Sequence, residues 1–230
     1  LVAQYNEVKA MKLLHGFFED LSPYMFRPEE MKNWIEADFD NFKFIIHELF
    51  LYTIAILLNS ERFEFIHNLI HQKYYIERES VGVKRLDSFT IFRNYLQSLD
   101  TRNKRLNLNR ISLHADLLKE RSTASGVSMQ ELMQADFILY LNGCLRAISD
   151  EDLYDRWYPE TLSYIGWRDR ENIFKIFTKG TSKVYFNNLK HIFNIAEKEE
   201  LEPLLQAFDD GKLKEPHWDY CSLSSKKLMN

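Results

Sequence analysis

Residues 39–58 constrain this chain most. The segment FDNFKFIIHELFLYTIAILL is apolar on nearly every face of a helix, and such a helix must either be wrapped by protein or enter a membrane. Its length suits a span, which takes about 20 predominantly apolar residues. Asp40, Lys43, His47 and Glu48 speak against one, because charged side chains are costly in a bilayer. The uninterrupted apolar run from Leu49 to Leu58 is also too short. The expectation is a helix surrounded by others, and no membrane.

The remaining sequence supplies the surroundings. Leucine outnumbers valine 30 to 6, which favours helix over sheet. Seven glycines and five prolines in 230 residues argue against a turn-rich β-sandwich or a glycine-rich nucleotide loop. With 17 Phe, 12 Tyr and 4 Trp and a net charge of only -4, the chain is not disordered. A chain this long buries enough surface to need no disulfide or metal staple. The expected fold is all-α, an irregular multi-helix bundle around the 39–58 helix. It is read as one helical domain over residues 1–208, with a subdomain boundary near 122–127, and an irregular tail over 209–230.

Local signals place the elements. A helix is expected over residues 2–21, and another opening at Pro28 and carrying Met31, Trp34 and Ile35. Ser60 is expected to cap a helix over 61–78, with a break at Gly82 and a further helix from Ser88 to Leu99. The polar stretch Asp100–Asn109 reads as a loop or frayed helix end, residues 110–121 as helix, and Ser122–Gly126 as a linker-like loop. Ser128 and Glu131 form a capping box, opening a helix that is expected to stop at Asn142-Gly143. Shorter helices follow at 150–157, 159–165, 169–178, 181–195 and 197–208.

Candidate chemistry is sparse. Cys144 and Cys221 are too few for a disulfide framework and read as reduced thiols of a cytoplasmic protein. No leader is expected, and the start at Leu1 is read either as the loss of the first residues or as a piece of a longer protein. Glu64 and His67 give a single Glu-x-x-His, where a di-iron bundle needs two plus further glutamates, so neither metal nor cofactor is expected. His114 and Asp116, two apart, point to different faces of a helix and form no dyad. Gly180-Thr181-Ser182-Lys183 lacks the spacing of a phosphate loop. The aromatics around Trp157, Tyr164 and Tyr185 are expected in the core.

Charge is unevenly placed. From Lys84 to Arg121 nine cations face four anions, a balance of +5 against -9 for the remaining residues. Arg102, Lys104, Arg105 and Arg110 form the densest part, a candidate RNA- or DNA-binding segment over residues 102–110. Arg62 and His67, four residues apart, resemble the Arg-x4–6-His motif of HEPN ribonucleases, helical domains that cleave RNA without metal across a dimer interface. The resemblance implies catalysis by Arg62 and His67 in a homodimer. The residue after the arginine is Phe63, where that family carries a polar one. The runs Arg110–Arg121, Leu132–Leu141 and Trp157–Leu162 are similar to helical modules of bacterial proteins, some of them associated with phage defence. That resemblance implies a bacterial origin and a non-enzymatic sensor or accessory role, partnered by another protein or a flanking domain.

Overall fold

The computed structural model describes residues 7–78, 83–150, 156–165, 174–214, 217–218 and 221–222. Among these the protein is predominantly helical, with nine α-helices. Helix α1 is Glu7–Leu21 and α2 is Asp40–Asn59, spanning the apolar segment. Helix α3 (Phe63–His71) leads into an antiparallel hairpin of β1 (Tyr74–Arg78) and β2 (Val83–Asp87), paired Tyr74 to Asp87 through Arg78 to Val83. Then come α4 (Gln97–Arg105), α5 (Leu113–Ser125) and α6 (Met129–Ser149). Short helices close the chain: α7 (Lys175–Gly180), α8 (Lys183–Leu189) and α9 (Glu202–Asp209). A two-residue pairing of β3 (His217–Trp218) with β4 (Cys221–Ser222) lies in the tail.

Several boundaries differ from the sequence expectation, each for a local physical reason. Residues 74–78 are strand, not the end of a 61–78 helix. Tyr74 and Ile76 are fully buried while Tyr75 is exposed, the period-2 alternation that aromatic and β-branched residues support. Ser60 closes α2 instead of opening α3. Glu61 follows with φ 52° and redirects the chain. Pro28 opens no helix. Residues 28–35 are held by the Met31 N–H on the Pro28 carbonyl and by Arg27, which donates to the Met31 carbonyl and sits 5.3 Å from the Trp34 ring.

The expected 88–99 helix splits into a 3-10 turn, Phe89–Phe92, and α4. Helix α4 starts where the Asp40 carboxylate accepts the Ser98 N–H at 2.7 Å, a cap from a helix 58 residues away in sequence. The stretch read as linker-like at 122–126 is the last turn of α5, closed by Gly126 at φ 76°. Buried apolar residues from both sides of it join one cluster. The expected helices at 159–165, 181–195 and 197–208 form in part as 3-10 turns at Glu160–Tyr164, Lys190–Phe193 and Lys198–Leu201. The expected break at Gly82, most of the helix at 150–157 and the start of that at 169–178 fall outside the described residues.

The capping box forms as expected. The Ser128 hydroxyl accepts the Glu131 N–H, and the Glu131 carboxylate accepts the Ser128 N–H at 2.7 Å. Helix α6 does not stop at Gly143, however. It runs six residues further, to Ser149, and Gly143 serves a close approach instead. A Cβ there would lie 2.9 Å from the Trp157 nitrogen and 3.3 Å from its Cβ. Gly143→Ala is therefore expected to destabilise by about 1–3 kcal/mol through overpacking, against the ~1 kcal/mol alanine gains in a helix. Urea melts check this: a neutral or stabilised variant would show that Trp157 moves away freely.

An aromatic cluster fills the interior. Phe18, Phe50 and Phe92 lie within 5.0–5.5 Å of one another, Tyr74 meets Phe92 at 4.7 Å, and Trp157 meets Phe50 at 5.9 Å and Phe89 at 5.8 Å. These rings come from α1, α2, β1, the 89–92 turn and the segment after α6. They fix how those elements meet.

Candidate interaction surface

Helix α2 carries its charged and imidazole side chains inward. Asp40, Lys43, His47 and Glu48 are all buried. They are the same four residues that argue against a membrane span. Each finds a partner on another element. Asp40 caps α4, and the Lys43 amine reaches Glu36 in the 3-10 turn Glu36–Phe39. Glu48 accepts from Arg121 on α5 at 2.5 Å. His47 Nδ1 lies 2.8 Å from Nε2 of His114 on α5. Both imidazoles are held well below the usual histidine pKa, first by burial. His114 and Arg93 add to this at His47, and Arg93 at His114. A neutral pair shares one proton across the bond, one nitrogen donating and the other accepting.

A second buried network sits behind it. Asp136 on α6 is fully buried and accepts from Trp157 Nε1 at 2.6 Å, the Thr161 N–H at 2.8 Å and the Thr161 hydroxyl at 2.7 Å. Burial pushes its carboxyl up to about 6, although all three bonds favour the charged form. Nearby, Arg93 pairs with Glu160 and donates to the Tyr158 carbonyl at 3.0 Å, and Glu160 also accepts from Ser112. These groups lock α2, α5, α6 and residues 157–161 into one arrangement.

With its charged and imidazole side chains turned in, α2 shows an apolar arc. Phe42, Ile45, Leu49, Tyr52 and Ile56 follow a 3-4-3-4 spacing and fall within about 80° of the helix circumference along about 21 Å of axis. Phe42, Ile45 and Ile56 are 45%, 43% and 52% exposed, and Leu49 and Tyr52 are half-buried. Tyr24, itself exposed, stacks on Phe42 with ring centres 5.7 Å apart. The exposed or half-buried residues beside the stripe include uncharged Asn41, Thr53 and Asn59. On α1, Leu13 and Phe17 are exposed. They lie on the flank opposite His15 and Glu19, which face β1 by stacking on Tyr74 and accepting the Tyr75 N–H. Residues Glu36–Asn59 are long and apolar enough to cross a membrane by length and composition, with 56% of the most apolar window buried inside the protein.

The residues singled out in the sequence lie elsewhere. Arg62 stands just before α3 and pairs with Glu7 on α1 at 2.9 Å. His67, inside α3, lies with Nδ1 2.8 Å from the His191 carbonyl, and His71 binds the Ile192 carbonyl at 2.8 Å. Arg62 and His67 are thus held by different elements, α1 and the 190–193 turn. Among the described residues no group of three or more His, Cys, Asp or Glu is placed to hold a metal ion.

Arg102, Lys104 and Arg105 sit on α4, a helix without a buried residue, and Arg110 follows in the loop to α5. Two of the four cations are engaged: Lys104 with Asp100 at 2.7 Å, and Arg110 with both oxygens of Asp116 at 2.6 and 2.9 Å. Arg102 and Arg105 make no ion pair among the described residues. The loop between is well fixed. The Asn103 amide donates to the Arg110 carbonyl and accepts its N–H, and Asn107 and Asn109 adopt φ 49° and 51°. Leu106, Leu108 and Ile111 are exposed there. Tyr95, exposed, lies beside Asp100 and Lys104, so this surface combines cations with an aromatic ring and an aliphatic edge.

The His47–His114 and Asp136–Trp157 networks carry no local sequence signature, because their members are 67 and 21 residues apart. The arc of α2 was not legible, because the segment is apolar on nearly every face. Burial alone distinguishes its exposed side. Comparison of the chain with protein-family models, curated proteins and solved structures finds no match. Fold and surface together define a predominantly helical domain in which a mostly apolar helix leaves one apolar arc uncovered.

Proposed function

We propose that this chain is a non-catalytic interaction module, and that the α2 arc receives an amphipathic helix of a partner protein. One observation carries the reading: α2 buries its four charged or imidazole side chains and exposes Phe42, Ile45 and Ile56. A helix that is apolar outward as well as inward is a surface without its cover. The 3-4-3-4 spacing matches the a and d positions of a helix seam, and a partner helix would meet Asn41 and Asn59 at its edges together with the Arg121–Glu48 pair beside Tyr52. A sensor or accessory part in a larger bacterial assembly, the setting the sequence resemblance implies, is a role such a module fills.

A display selection from a library of helical peptides with randomised surface positions tests this. Enriched peptides are expected to carry apolar residues at 3-4 spacing. They are expected to bind the Ile45→Asp protein at least about tenfold more weakly, as for a residue central to an interface. Peptides without that pattern, or with undiminished binding to Ile45→Asp, overturn the reading. Concentration-dependent dimerisation that Ile45→Asp abolishes would make the occupant a second copy. Binding to neutral phosphatidylcholine vesicles that Ile45→Asp abolishes would make the arc a lipid-facing surface.

A further inference from the structure

Residues 104–111, the last turn of α4 and the loop to α5, are exposed without a break. We infer that this tip docks on a membrane surface rich in anionic phospholipid, its aliphatic side chains entering the headgroup layer and its arginines meeting the phosphates. The contact is made by a loop, unlike a span, and is independent of the α2 arc.

The tip is fixed before it meets anything. The N–H groups of Leu106, Asn107 and Leu108 bond back to the carbonyls of Arg102, Lys104 and Asn103 at 3.1–3.2 Å. The Asn103 side chain holds Arg110 by its carbonyl and its N–H, which returns Ile111 to the side of α4. Leu106, Leu108 and Ile111 are 49%, 40% and 68% exposed. Three aliphatic side chains in water on so short a stretch mark a contact surface.

The charge beside them has one sign. Ser98, Thr101, Arg102 and Arg105 are exposed and fall within about 100° of the α4 circumference, with no acidic residue among them. Arg102 and Arg105 make no ion pair among the described residues. The two nearby acids are already matched, Asp100 by Lys104 and Asp116 by Arg110. The tip thus offers cations to an anionic surface and aliphatic groups to the layer beneath it, the combination that holds peripheral segments on membranes. A nucleic-acid strand would leave the three aliphatic side chains in water. It would also find few rings to stack on, for Tyr95 is exposed but hydrogen-bonded to the Asp100 carboxylate.

Flotation of the purified chain with vesicles tests this, using phosphatidylcholine with and without about 30% phosphatidylserine. The chain is expected to float with the anionic vesicles and not with the neutral ones, and to be released as salt is raised. Arg102→Ala/Arg105→Ala is expected to bind at least about tenfold more weakly. Leu106→Ser/Ile111→Ser is expected to lose about fivefold or more and to keep the salt dependence. Ile45→Asp is expected to bind as the parent does. Should the serine variant fail to fold, the alanine variant, changed only at exposed side chains without ion pairs, carries the test. No binding to anionic vesicles overturns the inference, as does binding that both loop variants retain or that Ile45→Asp abolishes. Capture of a single-stranded RNA oligonucleotide in preference to vesicles would overturn it too, and make the tip a nucleic-acid surface.

Discussion

Asp136→Ala is expected to cost about 3–5 kcal/mol, the largest loss from any single polar substitution in the described interior. The carboxylate accepts three hydrogen bonds, from the Trp157 indole and from the N–H and hydroxyl of Thr161. Alanine leaves all three donors without their acceptor in a site closed to solvent, and each such loss costs about 1–3 kcal/mol. Part is returned, because burying the carboxylate is itself unfavourable, as its raised pKa shows. Against a total stability of about 5–15 kcal/mol the remainder is large. Asp136→Asn is expected to recover part of the loss, since its one carbonyl oxygen can still serve Thr161 while its amide faces the Trp157 N–H. Urea melts at pH 7 give the numbers. An alanine variant within about 1 kcal/mol of the parent would mean the donors find other acceptors.

Stability is expected to fall as the pH drops from 7 toward 5. His47 and His114 have folded pKa values well below the usual 6.5. The unfolded chain therefore binds their protons first. Their contribution is fully present above pH 6.5 and is lost progressively below it, until their folded pKa values are reached. Each costs up to about 1.4 kcal/mol per pH unit in that window. Asp136 works in the opposite sense. Its folded pKa of about 6 lies above its unfolded value near 3.8, so the folded state gains stability as the pH falls through 6. Two histidines against one carboxyl leave a net loss of about 1.4 kcal/mol per unit below pH 6, and a shallower one above it, where the unfolded histidines are only partly protonated. Urea melts at half-unit steps measure the slope. The His47→Leu/His114→Leu double variant is expected to reverse it in this range, leaving the Asp136 effect. A double variant with the parent's slope would place the acid sensitivity elsewhere.

The two networks show how far the sequence reaches. The capping box of α6 was legible because its members, Ser128 and Glu131, are three residues apart and act on backbone groups beside them. Helix α2 was legible because twenty residues of composition outweigh any local signal. Asp40 as a cap for α4, His114 as the partner of His47, and Thr161 beneath Asp136 were not. Each depends on two distant segments meeting. Gly143 shows the same limit. As a local signal it reads as a helix stop. Trp157 makes it a contact point inside a longer helix. The 74–78 strand was not legible either, because Tyr74, Tyr75 and Ile76 are all apolar or aromatic in sequence and only packing buries the first and third and exposes the second.

The predominantly helical class follows from composition: leucine over valine, few glycines and prolines, and one long apolar segment, all of which act through local backbone preference and hydrophobic pattern. Tertiary structure alone decided which face of α2 turned inward. The buried face holds Asp40, Lys43, His47 and Glu48 because partners from the 36–39 turn, α4 and α5 converge there and satisfy them. Phe50, Leu51, Ile54 and Leu58 are buried on the same side of the helix, so hydrophobic burial carries the four polar side chains inward with them, and the fitted partners offset the cost of their desolvation. The apolar arc was left to face outward.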